Sequence, residues 1–160
     1  MKNATAITGA TGEYYVAAYL SALGLVVALP RGGVPLFDLL VADTETGKSI
    51  SLQIKTAKNP LNPSKKHGDY YAWDVSKKVL EVSDVTHTHW YAFVSLNDWT
   101  NCDKKPDIFF VSVLDVAENV KKEENNKPNA TRLFYCPLFT DAEHFKGNKG
   151  VEKMLKVLQS

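Results

Sequence analysis

The segment from Ile50 to Lys55 alternates strictly between apolar and polar residues, and this alternation constrains the fold more than any other stretch of the chain. Successive side chains of a β-strand point to opposite faces of its sheet, so the pattern predicts a strand, Ile50–Thr56, with one apolar and one polar face. Phe37–Ala42 is a second β-type run, and the loop Thr44–Gly47 between the two runs suits a β-hairpin. In one register the apolar residues of both strands face one another, and a shift by one residue destroys this match. That register pairs Phe37 with Ile54, Leu39 with Leu52 and Val41 with Ile50.

The same register predicts a polar cluster at one end of the hairpin. It places Asp38 opposite Gln53, with Lys55 further along the strand on the same side, and cross-strand partners have Cβ atoms only about 4.5–5.5 Å apart. Mg²⁺ and Mn²⁺ prefer oxygen ligands, which here are the Asp38 carboxylate, the Gln53 amide oxygen and the Ile54 carbonyl. A neighbouring lysine can orient or deprotonate water and offset charge growing on phosphorus. The alternative is that Asp38 ends a strand while Gln53 and Lys55 face solvent.

A predicted helix near the N-terminus carries a carboxylate on its apolar side. Thr8 or Thr11 can cap its start, and Gly24 marks its end after about Leu23. Glu13 lies three and four residues before the first two members of the apolar stripe, so it shares their face. A carboxylate directed toward a core is unfavourable unless it is paired or binds a cation; alternatively, Glu13 occupies the first helical turn, where the helix dipole favours acids. The stripe consists of Val16, Ala17, Leu20 and Leu23.

The rest of the sequence predicts one α/β domain spanning residues 1–160, with a central mixed sheet flanked by helices. The segment Asn59–Gly68, rich in Pro, Asn and Lys, is predicted to be a loop. Further strands are predicted at Leu25–Leu29, His89–Leu96, Asp107–Val113 and Arg132–Leu138, and helices at Leu114–Glu124 and from Thr140 or Asp141 through Val151–Leu158.

Lysines outnumber acidic residues between Lys55 and Lys78, although the formal net charge of the chain is only +1. A local basic surface of this kind can hold phosphates while the whole protein stays near neutrality. The alternative is an ordinary solvated, lysine-rich loop. Tyr70 and the adjacent Tyr71 could stack on bases, although aromatic residues in strands usually belong to the core. The candidate contacts to nucleic acid are Lys58, Lys65, Lys66 and Tyr70.

At these residues the chain resembles the PD-(D/E)XK nuclease superfamily. The family pattern is an acidic residue on the first helix, then an Asp, then (D/E/Q)-x-K on the following strand. Here the matching residues are Gly12-Glu13, Phe37-Asp38 and Gln53-Ile54-Lys55, within roughly residues 8 to 58. The chain looks most like the small resolvase-like and restriction-endonuclease-like members. Two positions depart from the usual pattern: Gln53 stands where many members have Glu, and Phe37 stands where many have Pro.

This resemblance implies a restriction-endonuclease-like core and metal-dependent hydrolysis of phosphodiester bonds, in DNA rather than RNA. It implies Mg²⁺ or Mn²⁺ as cofactor, catalytic roles for Glu13, Asp38, Gln53 and Lys55, and a homodimer that cuts two strands. A neutral Gln53 should weaken metal binding, although a Q-x-K variant exists among nucleases of the Mrr restriction type. The second hypothesis is therefore a catalytically silent member of the same fold that binds nucleic acid or protein.

Two other signals are disfavoured. The segment Ile7–Gly12 imitates the opening of a dinucleotide-binding domain, but too few residues precede it to form the required strand, and Tyr15 occupies the position of the third glycine. An NAD(P)-dependent oxidoreductase is therefore not expected. His67, His87, His89 and His144 have no Cys or acidic partner at zinc-binding spacing, so exposed or hydrogen-bonded histidines are expected instead.

The cysteines and the hydropathy indicate a cytoplasmic protein. Cys102 and Cys136 lie far apart and form no C-x-x-C pair, so reduced thiols are expected. No apolar run approaches the roughly 18 residues of a membrane span, and the N-terminus lacks the apolar region of a signal peptide.

Overall fold

Both helices and strands are present in the part of the chain that the computed structural model describes, which comprises residues 4–30, 37–66, 68–76, 78–83, 88–101, 103–126, 133–137 and 142–160. The helices are α1 (Ala4–Ala22), α2 (Lys78–Ser83), α3 (Val113–Asn126), α4 (Ala142–Phe145) and α5 (Gly147–Gln159). The strands are β1 (Val26–Ala28), β2 (Leu39–Ala42), β3 (Ser49–Ala57), β4 (Leu61–Asn62), β5 (Tyr70–Asp74), β6 (His89–Ser95), β7 (Asp107–Ser112) and β8 (Leu133–Pro137).

Strands β1, β2, β3, β6 and β7 form, in that order, a five-stranded mixed sheet. The pair β3–β6 is parallel, whereas β1–β2, β2–β3 and β6–β7 are antiparallel. A parallel pair requires a long crossover connection, and here the crossover contains β4, β5 and α2. The first two of these join β8 in a three-stranded sheet. The α/β fold with a central mixed sheet flanked by helices, predicted from the sequence, is confirmed.

The predicted hairpin register is also confirmed. Leu39 pairs with Leu52 and Val41 with Ile50, and the apolar residues of both strands are buried. Strand β2 begins at Leu39, so the predicted pairing of Phe37 with Ile54 lies outside the paired strands. Just before β2, Asp38 still contacts β3 both through its backbone N–H, which donates to the Leu52 carbonyl, and through its side chain, but the paired strand itself begins at Leu39.

Helix α1 differs from its prediction at the N-terminal end and agrees with it at the C-terminal end. It begins at Ala4, and the Thr8 and Thr11 hydroxyls donate to carbonyl oxygens one turn earlier, at 2.9 and 2.8 Å, as threonines inside a helix do. The prediction that one of them caps the helix was therefore wrong. At the other end, Gly24 adopts a φ of +85°, and Leu25 N–H donates to the Leu20 carbonyl, which together close a Schellman motif. Glu13 consequently lies in the helix interior rather than in its first turn.

Two apolar cores lie on opposite faces of the five-stranded sheet. Helices α1 and α5 cover one face, while α2, α3 and β5 cover the other. Leu23, predicted to belong to the apolar stripe of the first helix, lies beyond α1 and is exposed. The first core includes Val16, Leu20, Leu39, Leu52, Ile54, Phe110, Met154 and Leu158, and the second includes Tyr71, Trp73, Phe93, Phe109, Val116 and Val120.

The crossover between β3 and β6 is more ordered than predicted. The expected loop Asn59–Gly68 contains the short strand β4, and it is followed by β5 and α2, which were not predicted. The sequence of β5, Tyr-Tyr-Ala-Trp-Asp, is rich in residues that favour strands, but the polar and lysine-rich residues on either side of it obscured this signal. Val113, predicted at the end of a strand, instead begins α3.

Gly12 sets the distance between α1 and β3. A Cβ atom at this position would lie 1.8 Å from the Oγ1 atom of Thr56 and 2.9 Å from its Cβ atom. Gly12→Ala is therefore expected to lower the free energy of unfolding by about 1–3 kcal/mol, as measured by urea denaturation. Gly9→Ala in the same helix is the matched control, because no heavy atom lies within 4 Å of a Cβ there, and it should raise stability by about 0.5–1 kcal/mol. Equal stabilisation by both changes would contradict the close packing.

Candidate functional site

Asp38 is held against β3 by its own side chain. One carboxylate oxygen, Oδ2, accepts a hydrogen bond from Gln53 Nε2 at 2.5 Å and another from the Ile54 backbone N–H at 2.6 Å. The Asp38 backbone N–H donates to the Leu52 carbonyl at 2.9 Å. Among the described residues no hydrogen bond reaches the other oxygen, Oδ1. The predicted juxtaposition of Asp38 with Gln53 is therefore present. Oδ2 is held by two hydrogen bonds, whereas Oδ1 accepts none from the described residues.

Gln53 and Ile54 present different groups to Asp38. The amide nitrogen of Gln53 faces the carboxylate, so a cation bound between the two residues requires the amide to turn its oxygen inward. The N–H of Ile54 points toward Asp38, and the N–H and C=O groups of a strand residue point to the same strand edge. The Ile54 carbonyl therefore lies on the edge of β3 that faces Asp38, as a metal ligand there must.

Glu13 approaches the same site from α1. It is partly buried, and its pKa is raised first by burial and then by the negative charge of Asp38. The two carboxylates are thus close enough to repel one another. Both observations agree with the prediction that Glu13 points inward, and the position of Glu13 in the helix interior removes the alternative of an exposed first turn.

Lys55 lies on the same face of β3 as Gln53 and is half-buried. It aligns with Phe93 of the neighbouring parallel strand β6. In the described ranges of the chain, Lys55 forms no ion pair with an acidic side chain. Its ammonium group is therefore available to a phosphate or a water molecule on this face of β3.

Strand β6 extends the polar face with two residues that the sequence did not single out as part of this site. His89 aligns with Ser51, and its Nδ1 atom lies 2.8 Å from Ser51 Oγ, while Tyr91 aligns with Gln53. Burial lowers the pKa of His89, an effect that the charge of Asp38 opposes, and burial followed by that same charge raises the pKa of Tyr91 to about 12. Both rings therefore lie within electrostatic range of Asp38. Finding them required the β3–β6 pairing, which joins distant segments.

The two histidines in the described ranges are exposed or hydrogen-bonded, as predicted. His89 is 4% exposed and hydrogen-bonded, and His144 is exposed, while His67 and His87 lie outside the described ranges. Across the part of the chain that the structure describes, no group of three or more His, Cys, Asp and Glu side chains is placed to hold a metal ion.

The predicted nucleic-acid contacts are spread over the crossover. Lys58 directly follows β3, and Lys65 and Lys66 form the turn after β4; all three are exposed. Tyr70 begins β5 and is half-buried. Tyr71 is only 6% exposed and stacks on Trp73 with ring centroids 5.6 Å apart, so the suggestion that it contacts substrate was wrong. The binding roles of the other four residues stay predictions.

The donor set around Asp38, at the open end of the β2–β3 hairpin, fits a hard divalent cation. Two carboxylates, Asp38 and Glu13, lie within electrostatic range of one another, and a nearby cation would offset the burial and the repulsion that together raise the Glu13 pKa. The Ile54 carbonyl adds a neutral oxygen, and the Gln53 amide would add another after turning its oxygen inward. Mg²⁺ commonly binds through one or two carboxylates and retains several waters, so this small set suffices.

The raised pKa of Glu13 gives a stability prediction with a definite sign. An acid whose pKa is higher in the folded protein destabilises the fold once it ionises, so stability falls as the pH rises above the ordinary value of 4.5. Glu13→Gln should therefore raise the melting temperature near pH 7 and change it little below about pH 4. Glu45→Gln, in the exposed hairpin turn, is the control and should have no effect at either pH. A lower melting temperature for Glu13→Gln near pH 7 would show that Glu13 is stabilised by a partner instead.

No model of a known protein family matches this chain, and no curated protein matches it. Among solved structures, its fold is similar to that of I-Ssp6803I, a bacterial homing endonuclease, with a TM-score of 0.52 and 16% sequence identity. The similarity covers 98% of this chain and 92% of the other chain. At this level of identity the likeness concerns the fold alone. No helix in the described segments is long and apolar enough to cross a membrane.

Proposed function

We propose that this chain is a metal-dependent nuclease of the PD-(D/E)XK type that hydrolyses phosphodiester bonds in DNA. The observation that carries the proposal is the pair of hydrogen bonds from Gln53 and Ile54 to Asp38 at the open end of the β2–β3 hairpin, with Lys55 on the same face of β3 as Gln53 and Glu13 within electrostatic range of Asp38. A fold similar to that of a homing endonuclease supports it. Residues 1–160 would form one nuclease domain located in the cytoplasm. A homodimer of this domain would cut both strands of a duplex.

Each site residue has a distinct task in this proposal. Asp38 Oδ1 and the Ile54 carbonyl would hold Mg²⁺ or Mn²⁺, and Gln53 would add its amide oxygen after its amide group has turned. The cation would act as a Lewis acid toward the phosphate and would lower the pKa of the attacking water. Glu13 would hold an outer-shell water or a second cation.

Lys55 acts on the phosphate and the attacking water. Its ammonium group lies on the same strand face as Gln53, where it can orient the water and stabilise negative charge that develops on the phosphate oxygens. Three further lysines, Lys58, Lys65 and Lys66, would neutralise phosphates farther along the DNA strand, and Tyr70 would contact the DNA beside them.

Cleavage of labelled supercoiled, linear, branched and single-stranded DNA, with Mg²⁺, Mn²⁺ or EDTA, tests the proposal. Wild-type protein should cut at least one substrate in the presence of either metal and none in EDTA. Asp38→Asn is the matched variant, because it removes the charge but keeps an oxygen that can accept the Gln53 and Ile54 hydrogen bonds. It should lower the rate by at least about 10²-fold.

A silent binding module is the second candidate. Two observations favour it: Asp38 Oδ2 already accepts two protein hydrogen bonds, and a neutral glutamine stands where a further carboxylate would strengthen metal binding. Such a module would bind DNA in EDTA with unchanged affinity after Asp38→Asn. Failure to cut any of the substrates, together with that result, would replace the nuclease proposal.

A further inference from the structure

A groove of about 420 Å³ lies between the first half of α1 and the turn that follows β6. Its walls include Ile7 and Thr8 from the helix and Leu96 and Trp99 from the turn, with Lys58 at the rim. The lining is mostly apolar, and Ile7 is 64% exposed. A pocket of this size and character is typical of sites for flat, partly apolar groups.

Trp99 gives the groove an accessible aromatic face. It is 39% exposed, whereas Trp73 and Trp90 are 3% and 5% exposed and belong to the two cores. The ring of Tyr15 meets Trp99 edge-on, with centroids 5.0 Å apart and an angle of 63° between the ring planes. Tyr15 thus supports the indole from one side. Trp99 therefore differs from the other tryptophans in being positioned by the fold and open to solvent.

The turn that presents Trp99 is held in place by hydrogen bonds. Asn97 and Asp98 adopt φ angles of 50° and 56°, a conformation that non-glycine residues seldom use. Asn97 accepts a hydrogen bond from Ser95 Oγ at 2.6 Å and donates one to Asp107 Oδ2 at 3.0 Å. Its backbone N–H donates to the Lys58 carbonyl at 3.0 Å. The turn is consequently tied to both β6 and the end of β3, which fixes the position of Trp99.

The groove lies at the same end of the sheet as the candidate site. Ala57 aligns with Ser95 in the parallel pair β3–β6, so the residues following both strands emerge together. Lys58 follows Lys55 by three residues, a separation of about 10 Å in extended chain. Helix α1, which forms one wall of the groove, packs on the sheet face that carries Ile54, whereas Lys55 lies on the opposite face. A nucleic-acid strand that contacts both lysines would therefore cross this edge of the sheet, and a base attached to it would enter the groove.

We infer that the groove binds one unpaired base of a DNA strand, stacked on Trp99, while Lys58 contacts the adjoining phosphate. This inference rests on the proposed function, since it assumes that a DNA strand crosses this end of the sheet. The chemistry favours an unpaired base, because stacking needs an accessible π-face and the bases of a duplex already stack on one another. The exposed ammonium of Lys58 provides the charge that a phosphate requires.

Fluorescence anisotropy with a labelled, mixed-sequence single-stranded DNA oligonucleotide in EDTA tests the inference. Trp99→Ala should weaken binding by about 5- to 100-fold, whereas Trp99→Phe, which keeps an aromatic face, should remain within a few fold of wild type. Thr8→Phe leaves Trp99 intact but fills the groove, and should also weaken binding. Tyr14→Ala, which removes an aromatic residue that is 66% exposed elsewhere on α1, is the matched control and should bind normally.

The outcomes separate this inference from the nuclease proposal. Normal single-strand binding by both Trp99→Ala and Thr8→Phe would overturn the groove assignment, even if metal-dependent cleavage remained intact. If Trp99→Ala changed the oligomeric state of the protein in solution but left DNA binding unaffected, the groove would instead be a contact between copies of the chain, and the inference would be overturned. Loss of binding in these variants without cleavage by wild type would support the groove and refute the nuclease. If Trp99→Ala does not fold, the comparison of Thr8→Phe with Trp99→Phe decides.

Discussion

Lys55→Ala is expected to slow DNA cleavage by about 10²–10³-fold without weakening the binding of Mn²⁺. Lys55 lies on the same face of β3 as Gln53, and in the proposed reaction its ammonium group acts on water and phosphate, so its removal should raise the barrier to the chemical step. It is not itself a ligand, and removing a positive charge next to a cation site does not oppose metal binding. Single-turnover cleavage rates and calorimetric titration with Mn²⁺ measure the two quantities separately.

Lys48→Ala is the matched control for this change. Lys48 is exposed at the hairpin turn, just before β3 begins and at the opposite end of that strand from Lys55. It should leave both the cleavage rate and the metal affinity unchanged. Parallel losses of cleavage rate and metal affinity in Lys55→Ala would show that Lys55 supports the structure of the site rather than the chemistry.

Gln53→Glu should tighten Mg²⁺ binding by at least about tenfold and lower the melting temperature in EDTA. A carboxylate at this position adds a negative charge to the site formed by Asp38 and Glu13, and opposite charges attract strongly at such short range. Without a cation, three carboxylates repel one another, and the hydrogen bond from Gln53 Nε2 to Asp38 is lost. Thermal unfolding at several Mg²⁺ concentrations measures both effects, because a ligand of the folded state raises the melting temperature.

Thr44→Glu provides a control for the added charge alone. Thr44 is exposed in the hairpin turn, at the opposite end of the hairpin from Asp38, so a carboxylate there should leave the Mg²⁺ response unchanged. An equal Mg²⁺ response in Gln53→Glu and wild type would place the cation site elsewhere. It would also remove the role proposed for Gln53.

Local alternation was sufficient to predict the hairpin and its polar cluster. The apolar residues of β2 and β3 match in one register, and that register fixes Asp38 beside Gln53 whatever the rest of the chain does. The start of α1 was harder to predict, because a threonine hydroxyl can either cap a helix or bond to the preceding turn within it. Thr8 and Thr11 do the latter, and so α1 extends back to Ala4.

Contacts between distant segments set the limit of prediction. His89 and Tyr91 enter the site through the pairing of β3 with β6, and no pattern within either strand specifies that neighbour. The tryptophans posed a similar problem: their sequence contexts did not show that Trp73 and Trp90 are buried while Trp99 is exposed. Burial of that kind depends on the packing of the whole sheet against its helices.

The parallel pairing of β3 with β6 also gives the site an order of assembly during folding. The β2–β3 hairpin joins neighbouring segments, so Asp38 can meet Gln53 after a short loop closes. Ser51 can meet His89 only after residues 58–88 have crossed over, and closing a longer loop is entropically less favourable and slower. On a growing chain, the proposed metal ligands would therefore come together before the strand that completes their polar face has joined the sheet.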